Sequence, residues 1–350
     1  MYFLSFFLIM NEVKNVPRKT FKNIITSEDK LKKINPKNVK LANMFLNNLK
    51  KNHSDGTVKV YKSNFNIFFV WNLENNDNKF FVDLRKIELN EFFDYCVAEL
   101  KYNSARYSNM HSSLSSLSNF IENMLDDEYP TFRNIVRKID KLPNEKVRKK
   151  TVFKEEKIDS FLNKLVKEKR YQEACYIALV ISSGARFSEL LRITTDLIDE
   201  NHTVIDGIFL ETLEEIKTKG RGQTGKMLKK YIIKDIFLPY YKLWLPEREK
   251  ILKEKGLTHN SIFLKKNGEP ATPAVIRNWI KSWEEELGEN VYIHGFRHYW
   301  TTWLSNKNVS PSLIQNLQGW ASADMVNLYD DTTFLEKNFE LNDLKGALKK

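Results

Sequence analysis

The sequence predicts a mostly α-helical protein with one small β-sheet or hairpin, divided into two domains. Its 350 residues, of which 42% are hydrophobic, are enough to build two cores. Apolar side chains recur at helical spacing along most of the chain, whereas strand-like runs are confined to about residues 204–233. A basic stretch around Pro130 and Pro143 separates an N-terminal helical block from the remainder. We therefore expect one helical domain and one α-rich domain that carries the β element.

The N-terminal block is predicted to be a small helical bundle over residues 37–130. Its apolar residues follow a helical period in segments that start near residues 41, 57, 89 and 114. Residues 1–36 are expected to be a flexible extension, polar and lysine-rich after residue 10. The first ten residues are apolar but too short to span a bilayer, which needs about 20 residues. They show neither the basic n-region nor the small-residue cleavage site of a signal peptide, so we expect a cytoplasmic protein without a membrane partner.

The remaining boundaries follow from changes in composition. Residues 131–152 are predicted to be a basic linker, either simply solvated or holding a phosphate backbone, and residues 153–330 to be the second domain. In that domain, strand-like runs at Val204–Leu210 and Lys230–Ile233 flank a loop rich in glycine and lysine, Lys217–Lys226. Residues 331–350 are predicted to form an amphipathic tail that packs either on its own domain or on a neighbouring protomer.

The charge and the cysteines bound the class of protein. Lys and Arg number 56 against 45 Asp and Glu, which gives a net charge of +11 and a sequence pI near 9.3. Such an excess favours a polyanionic partner such as nucleic acid. Cys96 and Cys175 lie in apolar helical segments, and no Cys-x-x-Cys zinc spacing occurs. They are predicted to be buried thiols in a reducing compartment.

The candidate catalytic residues lie in short motifs, most of them in the last quarter of the chain. The motifs are Ser183-Gly184-Ala-Arg186-Phe-Ser-Glu189, His294-Gly-Phe-Arg297-His298, Leu317-Gln-Gly319-Trp320 and Asn327-Leu-Tyr329. Two arginines can neutralise a phosphodiester held between them, and a tyrosine can form a covalent phosphate ester. An indole N–H can donate a hydrogen bond to a phosphate oxygen but cannot carry a proton.

A metal site is the competing interpretation of the two histidines. His294 and His298 share one face of a predicted helix, which is the spacing of a zinc-binding pair. No glutamate lies between them, and no third ligand or carboxylate cluster is evident in the sequence. We therefore expect no metal and no cofactor.

These motifs together resemble the catalytic domain of the tyrosine recombinases, the phage-integrase family. The resemblance covers about residues 37–335, because the N-terminal bundle and basic linker resemble the family's core-binding domain. It implies the catalytic residues Arg186, His294, Arg297, Trp320 and Tyr329, with Trp320 standing where the family more often has histidine. It also implies a lysine on a β-hairpin, for which we favour Lys226 and keep Lys219 and Lys217 as alternatives. Glu189 and His298 are expected to support the arginines and the phosphate.

The resemblance further implies a mechanism and partners. Tyr329 would attack a phosphodiester and give a 3′-phosphotyrosine bond and a free 5′-hydroxyl, without ATP or metal. The DNA would be a duplex with specific recombination sites, on which a tetramer exchanges strands through a Holliday junction. Whether accessory DNA-bending proteins take part stays open. Basic residues expected to contact DNA, as alternatives to a solvated surface, are Lys59, Lys62, Lys101, Arg106, Lys146, Arg148, Lys149 and Lys150.

Within this family the sequence most resembles archaeal integrases of viruses or plasmids, because of its basic extension and long hairpin loop. The alternatives are a Xer-like resolvase of DNA multimers and a catalytically silent DNA-binding relative. A type IB topoisomerase would share the catalytic residues, but the core-binding-like block argues against it.

Overall fold

The computed structural model describes residues 25–143, 153–219, 225–322 and 324–330, except for the side chain of residue 328. It divides into two compact units, Met1–Val147 and Arg148–Lys350. The division falls inside the predicted basic linker, whose lysine-rich part from 144 to 152 lies outside the described residues. Each unit has its own hydrophobic core.

The first unit is a helical bundle. Its helices are α1 (Glu28–Lys32), α2 (Pro36–Lys50), α3 (Asp55–Asn75), α4 (Lys86–Ala98) and α5 (Ser104–Met124). Side-chain oxygens of Ser27, Asn35, Ser54 and Asn103 cap the amino ends of α1, α2, α3 and α5. The core is rich in aromatic rings, and Phe68 contacts Phe92 edge to face at 4.9 Å.

The described residues of this unit start at residue 25, before the predicted boundary at residue 37. Ile25 and Ile34 are buried in the core on either side of α1. Asn78 fixes the same segment, because its side chain accepts from the Asn35 amide at 2.9 Å and donates to the Lys33 carbonyl at 2.8 Å. Lysine-rich composition predicts a flexible segment, but two buried isoleucines and a distant asparagine hold these residues in place.

The second unit combines helices with two small antiparallel sheets. The helices are α6 (Glu155–Lys167), α7 (Tyr171–Ser183), α8 (Phe187–Leu190), α9 (Lys234–Lys255), α10 (Pro273–Leu287), α11 (Ile293–Asn306), α12 (Pro311–Gln318) and α13 (Asp324–Tyr329). The strands are β1 (Thr203–Val204), β2 (Phe209–Glu211), β3 (Ile216–Thr218), β4 (Lys226–Leu228) and β5 (Tyr231–Ile233). One sheet has the order β1-β2-β5, and β3 pairs with β4. The predicted fold class, mostly α with a small β element, is confirmed.

The β element differs from the prediction in detail. The predicted strand at Val204–Leu210 is interrupted, because Ile205, Asp206 and Gly207 all have positive φ and form a turn between β1 and β2. The predicted loop Lys217–Lys226 contains the paired ends of β3 and β4, with Thr218 opposite Lys226. The glycine and lysine content therefore predicted a loop between the strands but did not predict the paired ends of β3 and β4.

The centre of the second unit is the apolar helix α7. Ten of its residues, Ala174–Ser183, are buried. Burial on all sides is typical of a helix enclosed by other elements, and α7 contacts α9, α11, α6 and β5. Because α7 is enclosed in this way, the turn that follows it is held against α11, which carries the second motif. Among the described helices, none is both long enough and apolar enough to cross a membrane.

Candidate active site

A tight turn after α7 organises the candidate site. Gly184 ends α7 with a left-handed backbone, φ 57°, which side chains with a Cβ adopt only at a cost. A Cβ here would meet the Trp300 ring and the Gln318 amide nitrogen, each at 2.6 Å. Glycine therefore lets α7, α11 and α12 approach closely, and the turn places Arg186 directly before α8.

Arg186 is held by the glutamate of its own motif. Its backbone N–H donates to Glu189 Oε2 at 3.1 Å, and its Nη1 donates to Glu189 Oε1 at 3.0 Å. The Arg186 side chain is 24% exposed, whereas that of Glu189 is fully buried. The prediction that Glu189 orients an arginine rather than reacting is consistent with this geometry. The remaining guanidinium nitrogens of Arg186 leave it capable of binding an anion.

Lys230 is a residue that the sequence analysis missed. It lies directly before β5 with 2% of its surface exposed, and its Nζ is 2.8 Å from Glu189 Oε2. Burial alone would raise the pKa of Glu189, but Lys230 and Arg186 hold it below its usual value, so the carboxylate stays charged. Alternation along the strand was the available signal, because Lys230 shares a face with the buried Ile232.

Arg297 is completely buried on α11. Its Nη1 donates to the Gly184 carbonyl at 2.5 Å, which joins the two motifs directly. Burial and the neighbouring Arg186 charge lower the pKa of Arg297 to about 10, so it remains a cation at neutral pH. Its guanidinium carbon lies 5.0 Å from the Trp320 ring centroid and 5.2 Å from that of Tyr329.

Trp320 and Tyr329 stack on one another beside this arginine. Their ring centroids are 5.2 Å apart with an angle of 14° between the planes. Both side chains are nearly buried, and the His298 ring lies 4.7 Å from that of Tyr329. The left-handed Gly319 that ends α12 turns the chain toward Trp320, and α13 returns Tyr329 to the same place. Residues distant in sequence are thus brought into one cluster.

The cluster contains buried hydrogen-bond donors that the described residues do not satisfy. They are Nε and Nη2 of Arg297 and Nε1 of Trp320. Buried polar groups are nearly always paired, so adjacent unsatisfied donors call for an acceptor that the described residues do not supply. Because all of these atoms donate and one group is a cation, the matching ligand is an anion with several oxygens.

His294 lies at the exposed edge of the cluster. Its ring centroid is 6.5 Å from that of Tyr329. Partial desolvation and the charges of Arg297 and Arg186 lower the pKa of His294. The imidazole is therefore neutral at pH 7 and can accept a proton.

The hairpin lysines differ in their relation to the site. The charge of Lys219, which follows β3, contributes to the lowered pKa of His294. Lys226 is exposed on β4, and its carbonyl accepts from the Thr218 hydroxyl at 2.8 Å. The Lys217 carbonyl accepts from Arg192 at 2.6 Å. Proximity to His294 therefore favours Lys219 over Lys226, the lysine preferred from sequence.

The basic residues predicted to contact DNA in the first unit have different surroundings. Lys59, Lys62 and Lys101 are exposed. Arg106 is half-buried, and its Nη1 donates to the buried Asn64 at 2.6 Å. Arg106 is therefore fixed by its own unit, unlike the exposed lysines. The predicted contacts of the linker, Lys146, Arg148, Lys149 and Lys150, lie outside the described residues.

Over the described ranges, no group of three or more His, Cys, Asp and Glu side chains is arranged to hold a metal ion. His294 and His298 are both near Tyr329, at 6.5 and 4.7 Å between ring centroids. Their neighbours are arginines and aromatic rings rather than further ligands, so the surroundings of this pair suit an anion and not a cation.

Known proteins share both the sequence pattern and the fold. Residues 151–336, more than half of the chain, match the phage integrase family. A protein of Thermosipho africanus (strain TCF52B) named Tyrosine recombinase is 21% identical over 281 residues, 79% of this chain and 89% of the relative.

Two solved structures show the same fold. The Tn1549 transposon integrase in complex with transposon right end DNA has a TM-score of 0.61 at 18% identity, and the match covers 87% of this chain and 99% of that one. A lambda integrase tetramer bound to a Holliday junction has a TM-score of 0.60 at 15% identity, with coverage of 84% and 77%. With the family match spanning the whole arginine, histidine and tyrosine cluster, the chain belongs to the phage integrase family and is a tyrosine recombinase, an enzyme of site-specific recombination.

Proposed function

We propose that the cluster binds and cleaves a phosphodiester of duplex DNA, with Tyr329 as the nucleophile. The observation that carries this proposal is the set of unsatisfied buried donors on Arg297 and Trp320, in contact with the Tyr329 ring. A phosphate oxygen would accept from these donors, and the partly exposed Arg186 would bind another oxygen of the same group.

In the proposed reaction the Tyr329 hydroxyl oxygen attacks phosphorus, and the bond between phosphorus and the 5′ oxygen breaks. The products are a 3′-phosphotyrosyl ester and a free 5′-hydroxyl. Negative charge accumulates on the non-bridging oxygens in the transition state, where Arg186, Arg297 and Trp320 would donate. Because one phosphoester replaces another, attack by a 5′-hydroxyl can rejoin the strands without ATP.

Two protons must move in this scheme. The hydroxyl proton of Tyr329 leaves as the phosphotyrosyl bond forms, and neutral His294 is the base that we assign to receive it. The departing 5′ oxygen needs a proton, and we assign Lys219 as the donor of this proton. It is the hairpin lysine whose charge contributes to the lowered pKa of His294. Trp320 stabilises charge but transfers no proton, which leaves both transfers to the histidine and the lysine.

The lowered pKa of His294 predicts the acidic limb of the pH–rate profile. A base with a depressed pKa keeps its proton-accepting form to lower pH, so cleavage should hold down to the ordinary histidine value of 6.5 and decline below it. His294→Gln should be slower by about 10²-fold and should lack this limb. Rates of single-turnover cleavage between pH 5 and 9 would check this. A wild-type decline that begins above 6.5 would contradict the assignment.

Duplex DNA is the partner that the charge supports. The chain carries a net charge of +11, and Lys59 and Lys62 are exposed on one face of α3. We propose that these lysines, together with Lys101, contact phosphates and that the basic residues of the linker do the same. Because these contacts carry no base recognition, they would set affinity and its dependence on salt rather than the choice of site.

We further propose that the protein acts as a tetramer on two DNA sites and integrates or excises a mobile element. The lambda integrase and Tn1549 integrase folds support this assignment. Resolution of DNA multimers by a Xer-like enzyme is the alternative, and it would use the same catalytic residues. Mapping the cleavage sites distinguishes them, because an integrase joins element DNA to a separate host sequence whereas a resolvase recombines two copies of one site.

Covalent trapping tests the proposed chemistry. The full chain would be incubated with labelled, nicked duplexes that cover the DNA flanking its gene, in EDTA, and then denatured. We expect a protein–DNA adduct whose peptide, identified by mass spectrometry, carries the phosphate on Tyr329. An adduct on another residue, or DNA binding without an adduct on any of these duplexes, would overturn the assignment of Tyr329.

A further inference from the structure

The buried ion pair between Lys230 and Glu189 has no role in the reaction as described above. Lys230 has 2% of its surface exposed and Glu189 none, and their charged atoms are 2.8 Å apart. Removing two charges from water is expensive, and a buried pair seldom adds net stability compared with apolar residues of similar size. A buried lysine directly before a short strand therefore calls for an explanation other than stability.

The charges around Glu189 supply that explanation. Glu189 is the carboxylate against which Arg186 and Lys230 both lie, at 3.0 and 2.8 Å. Burial lowers the pKa of Lys230, Glu189 opposes this shift, and Arg297 is close enough for its charge, like that of Arg186, to lower the pKa further. With Lys230 present, one negative charge faces three positive charges, so the cluster keeps two positive charges. A bound phosphodiester carries one negative charge and its five-coordinate transition state carries two, so the cluster neutralises the transition state.

We propose that Lys230 is a positioning residue that neutralises Glu189. The carboxylate can then orient Arg186 without offsetting the positive charge of this arginine. The inference rests on the proposed phosphodiester site and names the group that sets its charge. Lys230 acts through Glu189, since its ammonium donates to this carboxylate, and the unsatisfied donors of the site belong to Arg297 and Trp320. Without it, the buried Glu189 would be compensated by the arginines alone, and one positive charge would be lost from the site.

A charge-removing substitution should therefore slow chemistry more than it weakens DNA binding. For Lys230→Met we expect the rate of single-turnover cleavage to fall by about 10²-fold, the lower end of the effect of deleting a transition-state donor. The dissociation constant for DNA should change less than about threefold, because phosphate contacts elsewhere dominate affinity. Lys230→Arg, which keeps the charge, should retain most of the rate.

The defect should also depend on pH in a particular direction. Loss of Lys230 removes the nearest cation from Glu189 and raises the pKa of this carboxyl. As the pH falls through that raised pKa, Glu189 becomes neutral and no longer offsets the positive charge of the arginines. The ratio of variant to wild-type rates should therefore rise toward low pH. Using the ratio of the two rates cancels any pH dependence that both proteins share, such as that of His294.

The double variant Lys230→Met/Glu189→Gln removes both charges. Its cleavage rate should be at least tenfold higher than that of Lys230→Met, and the ratio of its rate to the wild-type rate should be independent of pH.

Lys229→Met is the matched control and should leave the rate unchanged, because the neighbouring Lys229 pairs at 3.0 Å with Glu211, which is 17% exposed. If Lys230→Met does not fold, as judged by circular dichroism, Lys230→Gln replaces it. If Lys230 had a purely structural role, Lys230→Met would have a lowered melting temperature and an unchanged rate per folded molecule, and the double variant would show no recovery. That pattern would overturn the proposal.

Calorimetric titration with inorganic sulfate separates this inference from the proposed reaction, because it needs no cleavage. Sulfate is a dianion with tetrahedral oxygens, and Lys230→Met should bind it at least tenfold more weakly than wild type, with recovery in the double variant. Wild-type sulfate binding without any DNA adduct would contradict the proposed reaction but leave the charge inference standing. Equal sulfate affinity in wild type and Lys230→Met would contradict the inference whatever the DNA assay gives.

Discussion

Tyr329→Phe should abolish the covalent protein–DNA adduct, with a loss of at least about 10⁴-fold in strand cleavage, while DNA binding is kept. The substitution removes the atom that we propose to attack phosphorus. The phenyl ring should still stack on Trp320, 5.2 Å away, and under Arg297, so the fold should persist. Denaturing gels for the adduct and filter binding for DNA would be measured on the same preparation.

Tyr240→Phe is the control for this prediction. Tyr240 lies on α9 and packs against the core of the same unit, outside the Trp320 and Tyr329 stack. It should cleave at the wild-type rate. A Tyr329→Phe protein that still forms the adduct would assign the nucleophile to another residue, and loss of DNA binding together with cleavage would indicate a folding defect instead.

The sequence singled out most of the residues that the fold brings together in the candidate site, because they lie in short motifs whose spacing the fold preserves. Arg186 and Glu189 are joined by a single turn of backbone, and His294 and Arg297 share one helix. Local geometry of this kind is readable from spacing alone. The expectation that the two arginine motifs lie close together rested instead on the family resemblance. Their spacing does not predict it, because the hydrogen bond from Arg297 to the Gly184 carbonyl depends on how α7 and α11 pack.

Lys230 was missed for a physical reason. Lysine side chains are almost always exposed, so a lysine in a sequence is predicted to be solvated. A buried lysine needs a carboxylate partner, and the sequence does not show which one lies nearby. The hairpin shows the same limit, since Lys217, Lys219 and Lys226 are chemically equivalent and only their place relative to His294 distinguishes them. The buried isoleucines around α1 were likewise masked by neighbouring lysines.

Arg297→Met should have opposite effects on activity and stability. Cleavage should fall by about 10³-fold, because the variant lacks the donors proposed to bind the non-bridging oxygens as charge develops. The free energy of unfolding should rise by about 1 to 2 kcal/mol, because a buried cation with two unsatisfied nitrogens is replaced by an apolar side chain of similar length. Losing the bond to the Gly184 carbonyl offsets part of this gain.

Arg248 provides the matched comparison for Arg297. It is also buried, with 3% of its side chain exposed, but its Nε donates to the Ser261 carbonyl at 2.8 Å and its Nη2 donates to the His259 carbonyl. Arg248→Met should therefore lower the melting temperature and leave cleavage per folded molecule near the wild-type rate. Opposite shifts for the two arginines would show that hydrogen-bond satisfaction, rather than burial alone, separates a structural arginine from one held ready for a ligand.

The effect of sulfate on the melting temperature tests whether Arg297 binds the anion. An anion that binds only the folded protein raises its melting temperature by mass action, so sulfate should stabilise the wild type and the Arg248→Met variant. It should stabilise Arg297→Met far less, because the donors that hold the anion are gone. The wild type would then overtake the more stable variant as sulfate increases, since bound sulfate would accept from the donors that the described residues leave unsatisfied. A sulfate effect of equal size in all three proteins would place the anion elsewhere and contradict the assignment of Arg297.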